Sequence, residues 1–222
     1  MWQIAIIGAT LSGNKGAAAM LQSVLENLPS RLGTCEFSVL SVYPVEDRAL
    51  NRDKRVEIVP ARPAALLMAV PIAALWAVLK RLHLPPGPLS SHQLLSAIDK
   101  CDILVDLSGI SFTDGRLIEL VYNVACVVPS LLMRKKVVKY SQAMGPFRTL
   151  LNRTCASLIL PRITLNIARG DRTLSYLKEL GLTNADLCAD AAFSLTEKPT
   201  EETLRALRAL AHSDQRRLVG VS

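Results

Sequence analysis

The residue types able to do chemistry in this chain cluster in short loops where glycine adjoins a charged or amide side chain. The first is "GATLSGNKGA", residues 8–17, set between an apolar run and a small-residue segment. Phosphate-binding loops share that layout, but the spacing excludes the two best-defined kinds. A GxxxxGK[ST] loop needs lysine directly after the second glycine and then a hydroxyl for magnesium. From Gly8 the count reaches Gly13 correctly, yet Asn14 stands in the lysine position and Lys15 in the hydroxyl position. A GxGxxG fingerprint fails because Ala9 and Thr10 follow Gly8. What remains is Asn14, Lys15 and Gly16 at a helix start, where backbone N–H groups can meet an anion or a polar ligand. The alternative is a plain strand–helix turn with Asn14 as N-cap.

Three further loops follow apolar runs in the same way. "DILVDLSGISFTDG" carries Asp106, Ser108, Gly109 and Asp114. "KVVKYSQAMGPFR" ends in Gly145, Pro146, Phe147 and Arg148, and "LNIARGDRTLSYLKELGL" places Arg169 at a strand's end and Asp171 at a helix start. In a parallel sheet, loops that leave the strands' carboxyl ends all emerge on one edge, where ligands bind.

The elements that must position these loops alternate along the chain. Strands are predicted over residues 2–7, 36–42, 56–59, 102–107, 136–141, 164–168, 185–188 and 217–221. Helices are predicted over 16–28, closing before Pro29, and over 91–98, 117–132, 150–160 and 201–211; Pro129 should kink or interrupt the third. Another begins at Asp171 as N-cap, carries Leu174, Leu177 and Leu180 on one stripe, and ends at Gly181. Continuous apolar strands separated by helices predict an α/β fold with a doubly wound, mostly parallel sheet of Rossmann-like kind. Residues 1–215 read as one α/β domain with a hydrophobic insertion near 62–90. "RRLVGVS" reads as the opening of a second domain from 216 onward, with the rest of that domain expected beyond.

Composition narrows the partners. Half the residues are hydrophobic and a fifth charged, which suits a substantial core and excludes a disordered chain. The net charge of +7 suits anionic substrates, a membrane surface or nucleic acid. With aromatics at only 5% and no nucleic-acid-binding motif, nucleic acid is not expected as a partner. Cys35, Cys101, Cys126, Cys155 and Cys188 show no metal or CxxC spacing and read as buried, reduced thiols of a cytosolic protein. No metal site is expected. Residues 1–7 lack a basic n-region and an h-region, and read as a first strand rather than a signal peptide.

One segment departs from the alternation. From Ala64 to Leu79 the chain has no charge, with Arg62 before it and Lys80, Arg81 and His83 after it. As a helix it would reach about 24 Å at ~1.5 Å per residue, short of the ~30 Å hydrocarbon core, and Pro71 lies in its middle. Three readings stay open: a spanning helix, a helix buried in the core or against a partner domain, and a surface element in a membrane interface with its basic flank on anionic lipid.

Taken in order, the loops resemble those of the polysaccharide pyruvyl transferase family. The resemblance rests on Asn14-Lys15-Gly16-Ala17, the Asp106–Asp114 loop, "QAMGPF" from Gln142 to Phe147, Arg169 through Ser175, Leu177 and Gly181, and "CADAAF" with Asp190 and Phe193. Two positions depart from the pattern: Ala18 stands where an acidic residue is often found, and Ser108 replaces the first glycine of a pair. The resemblance implies a GT-B-type architecture with two α/β domains facing a cleft. It implies transfer of a pyruvyl unit from phosphoenolpyruvate onto two hydroxyls of a bacterial cell-surface or exopolysaccharide sugar, with no cofactor besides the donor substrate. It also implies cytoplasmic work, at the inner face of the membrane if the acceptor is lipid-linked.

Such chemistry needs a cation for the donor's carboxylate and phosphate, an acid for the methylene carbon and a base for the hydroxyls. Arg169 is the best cation, the alternative being a salt bridge to Asp171 or Asp190; Arg148 is a second candidate or simply an exposed helix-start arginine. Asn14, Lys15, Gly16, Gly109, Gly145 and Pro146 are the expected remainder of the binding wall. Asp114 and Asp106 are candidates to bond sugar hydroxyls, with turn capping as the alternative for Asp106. His83, His92 and His212 all read as solvent-exposed, so the general acid is expected from the second domain, and residues 1–222 alone are expected to be inactive. Two other functions fit the same loops: a GT-B-like glycosyltransferase using a nucleotide sugar, and a non-catalytic α/β protein docked on a membrane through residues 64–79.

Overall fold

A computed structural model describes residues 1–85, 92–196 and 201–212. The first strand β1 (Trp2–Ile7) leads into helix α1 (Lys15–Leu32), and β2 (Cys35–Ser41) into α2 (Pro44–Leu50). After β3 (Val56–Pro60) two helices, α3 (Pro63–Arg81) and α4 (Gln93–Lys100), carry the chain across to β4 (Ile103–Asp106). There follow β5 (Ile110–Ser111), α5 (Leu117–Leu132), β6 (Lys136–Met144), α6 (Leu150–Ile159), β7 (Leu165–Arg169), α7 (Asp171–Glu179), β8 (Ala185–Cys188) and α8 (Glu201–His212).

The sheet runs β3-β2-β1-β4-β6-β7-β8, and every pair is parallel; β5 pairs in parallel with the far end of β6. The fold is therefore α/β and doubly wound, as the alternation of the sequence implies. Strand alternation divides the core: Ala5 and Ile7 face α3–α7, while Ile4 and Ile6 face α1, packing with Leu21, Val24 and Leu25. Because the chain winds outward from β1 in one direction and from β4 in the other, the order reverses between these two strands. A crevice at their carboxyl ends is where open α/β sheets bind ligands.

Several boundaries differ from the expectations, each for a local reason. Helix α1 passes through Pro29 and closes four residues later, where Gly33 (φ +81°) donates its N–H to the Pro29 carbonyl at 2.9 Å. Proline removes one donor, but in the final turn the chain closes on its carbonyl instead. Gly170 (φ +90°), not Asp171, is the N-cap of α7, and Asp171 becomes its first residue. Strand β6 continues to Met144, past a register shift where Ser141 adopts φ +55°. The short α2 has no counterpart in the sequence reading, and the strand expected over 217–221 and the second domain expected from 216 lie outside the described residues, as does most of "LPPGPLS".

The apolar segment forms α3, which Pro71 interrupts without ending. Leu66, Ala69, Ala73 and Trp76 are buried beside α5, whereas Leu67, Met68, Leu75 and Val78 on the opposite stripe are exposed. By length and composition it is long and apolar enough to cross a membrane, with 22% of its most apolar window buried in the fold. It is thus neither a fully buried core helix nor one apart from the core.

Candidate active site at the carboxyl edge

The carboxyl ends of β1 and β4 meet closely. Leu107 donates its N–H to the Ile7 carbonyl at 2.8 Å. Gly8 follows in a left-handed conformation (φ +83°), and a Cβ placed there would lie 2.3 Å from Ser108 Oγ and 2.6 Å from Ser108 N. Only glycine fits. The Ser108 hydroxyl is buried at the switch point, beside the Asp106 carboxylate that it helps to hold in the charged form.

Beneath this contact lies a pair the sequence reading did not find. Asp106 and Lys139 are both 0% exposed and joined at 2.5 Å between Oδ2 and Nζ. They stand opposite one another in the β4–β6 register. Ser108 N donates to Asp106 Oδ1 at 2.9 Å, Gln142 Nε2 to the Asp106 carbonyl at 2.7 Å, and Ser111 Oγ to Gln142 Oε1 at 2.6 Å. The Lys139 ammonium lies 5.2 Å from the centre of the Phe112 ring. Burial alone would raise the Asp106 carboxyl, but the charge and hydrogen bond of Lys139 outweigh it and hold the group below its ordinary range. Asp106 is therefore an internal anchor that caps the turn at Ser108, and its carboxylate is closed off from solvent. The available signal was a lysine and an aspartate in otherwise apolar neighbouring strands.

Gly109 continues from Ser108, and its carbonyl accepts from Ala143 N at 3.0 Å. A Cβ on Gly109 would stand 4.0 Å from Arg169 Nη1, which brings the β7 arginine beside this loop. Arg169 Nη1 donates to Asp190 Oδ2 at 2.6 Å, and both side chains are part-exposed. The alternative offered for Arg169, a salt bridge, is thus present in the structure, with Asp190 and not Asp171 as the partner. The sheet edge thus gathers Gly8, Ser108, Gly109, Arg169 and Asp190.

The other candidates lie around this group. Asn14 caps α1, its Oδ1 accepting from Gly16 N at 2.7 Å and Ala17 N at 3.3 Å. The first-turn N–H groups expected to meet an anion are therefore partly taken by Asn14 itself, which corrects that expectation; Lys15 is exposed beside them. Asn14 also lines a hollow of about 430 Å³ with Gly8, Thr10, Gly13 and Tyr43. That loop is fixed by buried Asp47 of α2, which accepts from Ser12 N at 2.8 Å, Ser12 Oγ at 2.6 Å and Ser41 Oγ at 2.6 Å. A larger hollow of about 670 Å³, lined by Gln3, Glu36, Glu57 and Lys100 among others, includes none of these loops and is set aside on that ground.

Asp114 and the Gly145–Pro146 turn lie toward α6 and α7. Gly145 (φ +87°) packs against Tyr176, where a Cβ would come within 2.7 Å of the ring, and its peptide bond to Pro146 is cis. Pro146 and Arg148 border a separate hollow of about 450 Å³. Asp114 accepts from Arg148 N at 2.8 Å, Thr149 N at 3.2 Å, Thr149 Oγ1 at 2.8 Å and Asn152 Nδ2 at 2.9 Å. Burial would raise its carboxyl, but these donors outweigh it and hold the group low. Its oxygens hold the start of α6.

Among the described residues no group of three or more His, Cys, Asp or Glu side chains could hold a metal ion. His83 follows α3 and His92 caps α4, so neither belongs to a carboxyl-edge loop. The edge as built presents the part-exposed Arg169, paired with Asp190, beside the side-chain-free Gly109, while the Ser108 hydroxyl is buried beneath it.

Comparison with curated proteins finds no match. The family model described as polysaccharide pyruvyl transferase matches residues 14–219, nearly the whole chain and every loop of the carboxyl edge except Gly8–Gly13. The chain belongs to the polysaccharide pyruvyl transferase family.

Proposed function

We propose that this protein transfers a pyruvyl group from phosphoenolpyruvate to two hydroxyls of a bacterial cell-surface or exopolysaccharide sugar, and that the switch-point edge binds the reactants. The observation that supports this reading is Arg169, oriented by Asp190 and standing beside the side-chain-free Gly109. In the reaction two sugar oxygens bond to the donor's central carbon while its bond to phosphate oxygen breaks. One hydroxyl proton ends on the methylene carbon, giving a methyl group, and the other leaves with phosphate.

Arg169 neutralises the carboxylate or phosphate, with Asp190 preventing its collapse onto other acceptors. Lys15 adds charge, while the exposed side chain of Asn14 and the side-chain-free Gly109 position polar groups of the bound molecule. Gly145 and Pro146 shape the neighbouring wall. Asp114 supports that wall from behind. The acid and base are not drawn from the histidines described above. The acceptor is a lipid-linked saccharide, and the protein works in the cytoplasm at the inner face of the membrane. Exposed apolar side chains at the start of α3, Leu67 and Met68, support that placement.

The test is phosphate release by the full-length protein with phosphoenolpyruvate and saccharide, paired with detection of the ketal methyl group by NMR. Arg169→Lys should raise the KM for phosphoenolpyruvate by about tenfold or more, since a bidentate donor becomes a point charge. An unchanged KM would remove Arg169 from the site. Turnover of a nucleotide sugar in place of phosphoenolpyruvate would replace the reading with the glycosyltransferase one.

A further inference from the structure

Helices α3, α5 and α6 each start at the carboxyl edge of the sheet, because each follows a parallel strand directly. Each start joins an arginine to exposed aliphatic side chains. Arg116 precedes Leu117 and Ile118, and Arg148 stands two residues before Leu150 and three before Leu151. Ile118 and Leu150 are each 83% exposed, among the most exposed large hydrophobic residues described. Arg62 precedes α3, whose Leu67 and Met68 are exposed in its first turns.

Asp114 makes two of these starts into one unit. It sits two residues before Arg116, and it accepts from the backbone N–H groups of Arg148 and Thr149. The loop entering α5 is thereby tied to the first turn of α6, so the two aliphatic tips are held together. Helix α3 packs alongside α5 and runs the same way. Among the described residues, none of Arg62, Arg116 and Arg148 has a carboxylate partner within ion-pair distance; Glu119, exposed in the first turn of α5, is the opposing charge nearby in sequence.

We infer that this end of the molecule docks on an anionic membrane surface, aliphatic tips in the acyl boundary and arginines at the lipid phosphates. The charge pattern selects the occupant. Unpaired arginines ringing exposed leucine and isoleucine match a layer that is apolar inside and phosphate-bearing at its surface. The inference rests on the proposed function and sharpens it. Contact is end-on through three helix starts, not lengthwise along residues 64–79, and it turns the edge holding Arg169 toward the bilayer from which a lipid-linked acceptor is presented.

The test is cosedimentation of the full-length protein with phosphatidylcholine vesicles, with and without phosphatidylglycerol. Binding should require phosphatidylglycerol and weaken with salt. The double variant Ile118→Ser, Leu150→Ser should lose at least about tenfold in partition. Arg62→Gln with Arg116→Gln should lose about fivefold per arginine on anionic vesicles only. No binding to anionic vesicles would overturn the inference. So would loss of binding in Leu75→Ser, Val78→Ser with retention in Ile118→Ser, Leu150→Ser, which would place contact along α3. A dimer in sedimentation velocity that dissociates in the Ile118, Leu150 variant would make the occupant a second copy and overturn it as well. Pyruvyl transfer to a soluble saccharide should be unchanged in the Ile118, Leu150 variant. Vesicle binding without any transfer by the parent protein would sink the functional reading and leave the docking surface standing.

Discussion

Replacing Lys139 by methionine isolates the buried ion pair under the candidate site. Methionine fills a similar volume, so the main loss is the charge facing Asp106, and both side chains are wholly buried. The carboxylate would keep the Ser108 N–H as its donor but lose the partner that opposes its burial. Breaking a buried pair from one side costs about 3–5 kcal/mol, a large share of the ~5–15 kcal/mol that holds a domain together. Urea unfolding at neutral pH reads this directly: at a slope near 2 kcal/mol per molar, the midpoint should fall by about 1.5–2.5 M. The pH dependence fixes the sign. The folded-state carboxyl of Asp106 lies below its ordinary value, so the pair's stabilisation is present above the unfolded value near 4 and fades as pH drops through the folded one. The gap between parent and Lys139→Met should therefore shrink in acid. Adding Asp106→Asn to Lys139→Met removes the stranded charge and should recover part of the loss. A drop below about 1 kcal/mol in Lys139→Met, or a gap that widens in acid, would refute the reasoning.

Gly8→Ala should lower the melting temperature by several degrees, since overpacking costs about 1–3 kcal/mol and the left-handed backbone adds about 1–2. Ser108→Ala should not rescue it, because the Ser108 backbone nitrogen stays 2.6 Å from the new Cβ. Asp114→Ala should destabilise by about 1–2 kcal/mol in chemical unfolding, as loss of a helix cap does; in the parent, this contribution is present above the unfolded carboxyl value and lost in acid, because the folded group is held low. Asp47→Ala strands Ser12 N and Ser41 Oγ and should cost about 1–3 kcal/mol, with faster amide exchange at Ser12 and Gly13 as the local readout. In native protein at pH 8, a thiol reagent should label Cys155 and Cys188 first. Burial pushes the Cys101 thiol up to about 11 and raises that of Cys126 further, so both should react only on unfolding.

The sequence carried the sheet well because its strands are buried on both faces and read as continuous apolar runs, as in Ile4–Ile7 and Ile103–Val105. It carried the loops at the carboxyl edge because parallel topology leaves them one place to emerge. What it did not carry are features made by two distant segments. The partnership of Asp106 with Lys139 depends on the register of two strands 33 residues apart. The demand for glycine at position 8 comes from a backbone approach by Ser108. Asp47 was unread because α2 is only 7 residues long and gives little periodicity. Asp114 was offered to a sugar because an aspartate in a loop after an apolar strand looks available; its four donors come from residues 148–152, distant in sequence.

The junction of β1 and β4 has an entropic consequence. Backbone bonding from Leu107 to Ile7, the Gly8–Ser108 contact and the Gln142–Asp106 bond immobilise this part of the edge before any reactant arrives. A ligand that settles there forgoes little of its affinity to freezing these loops. The wall is preorganised, and whatever motion accompanies turnover must come from surfaces brought against it.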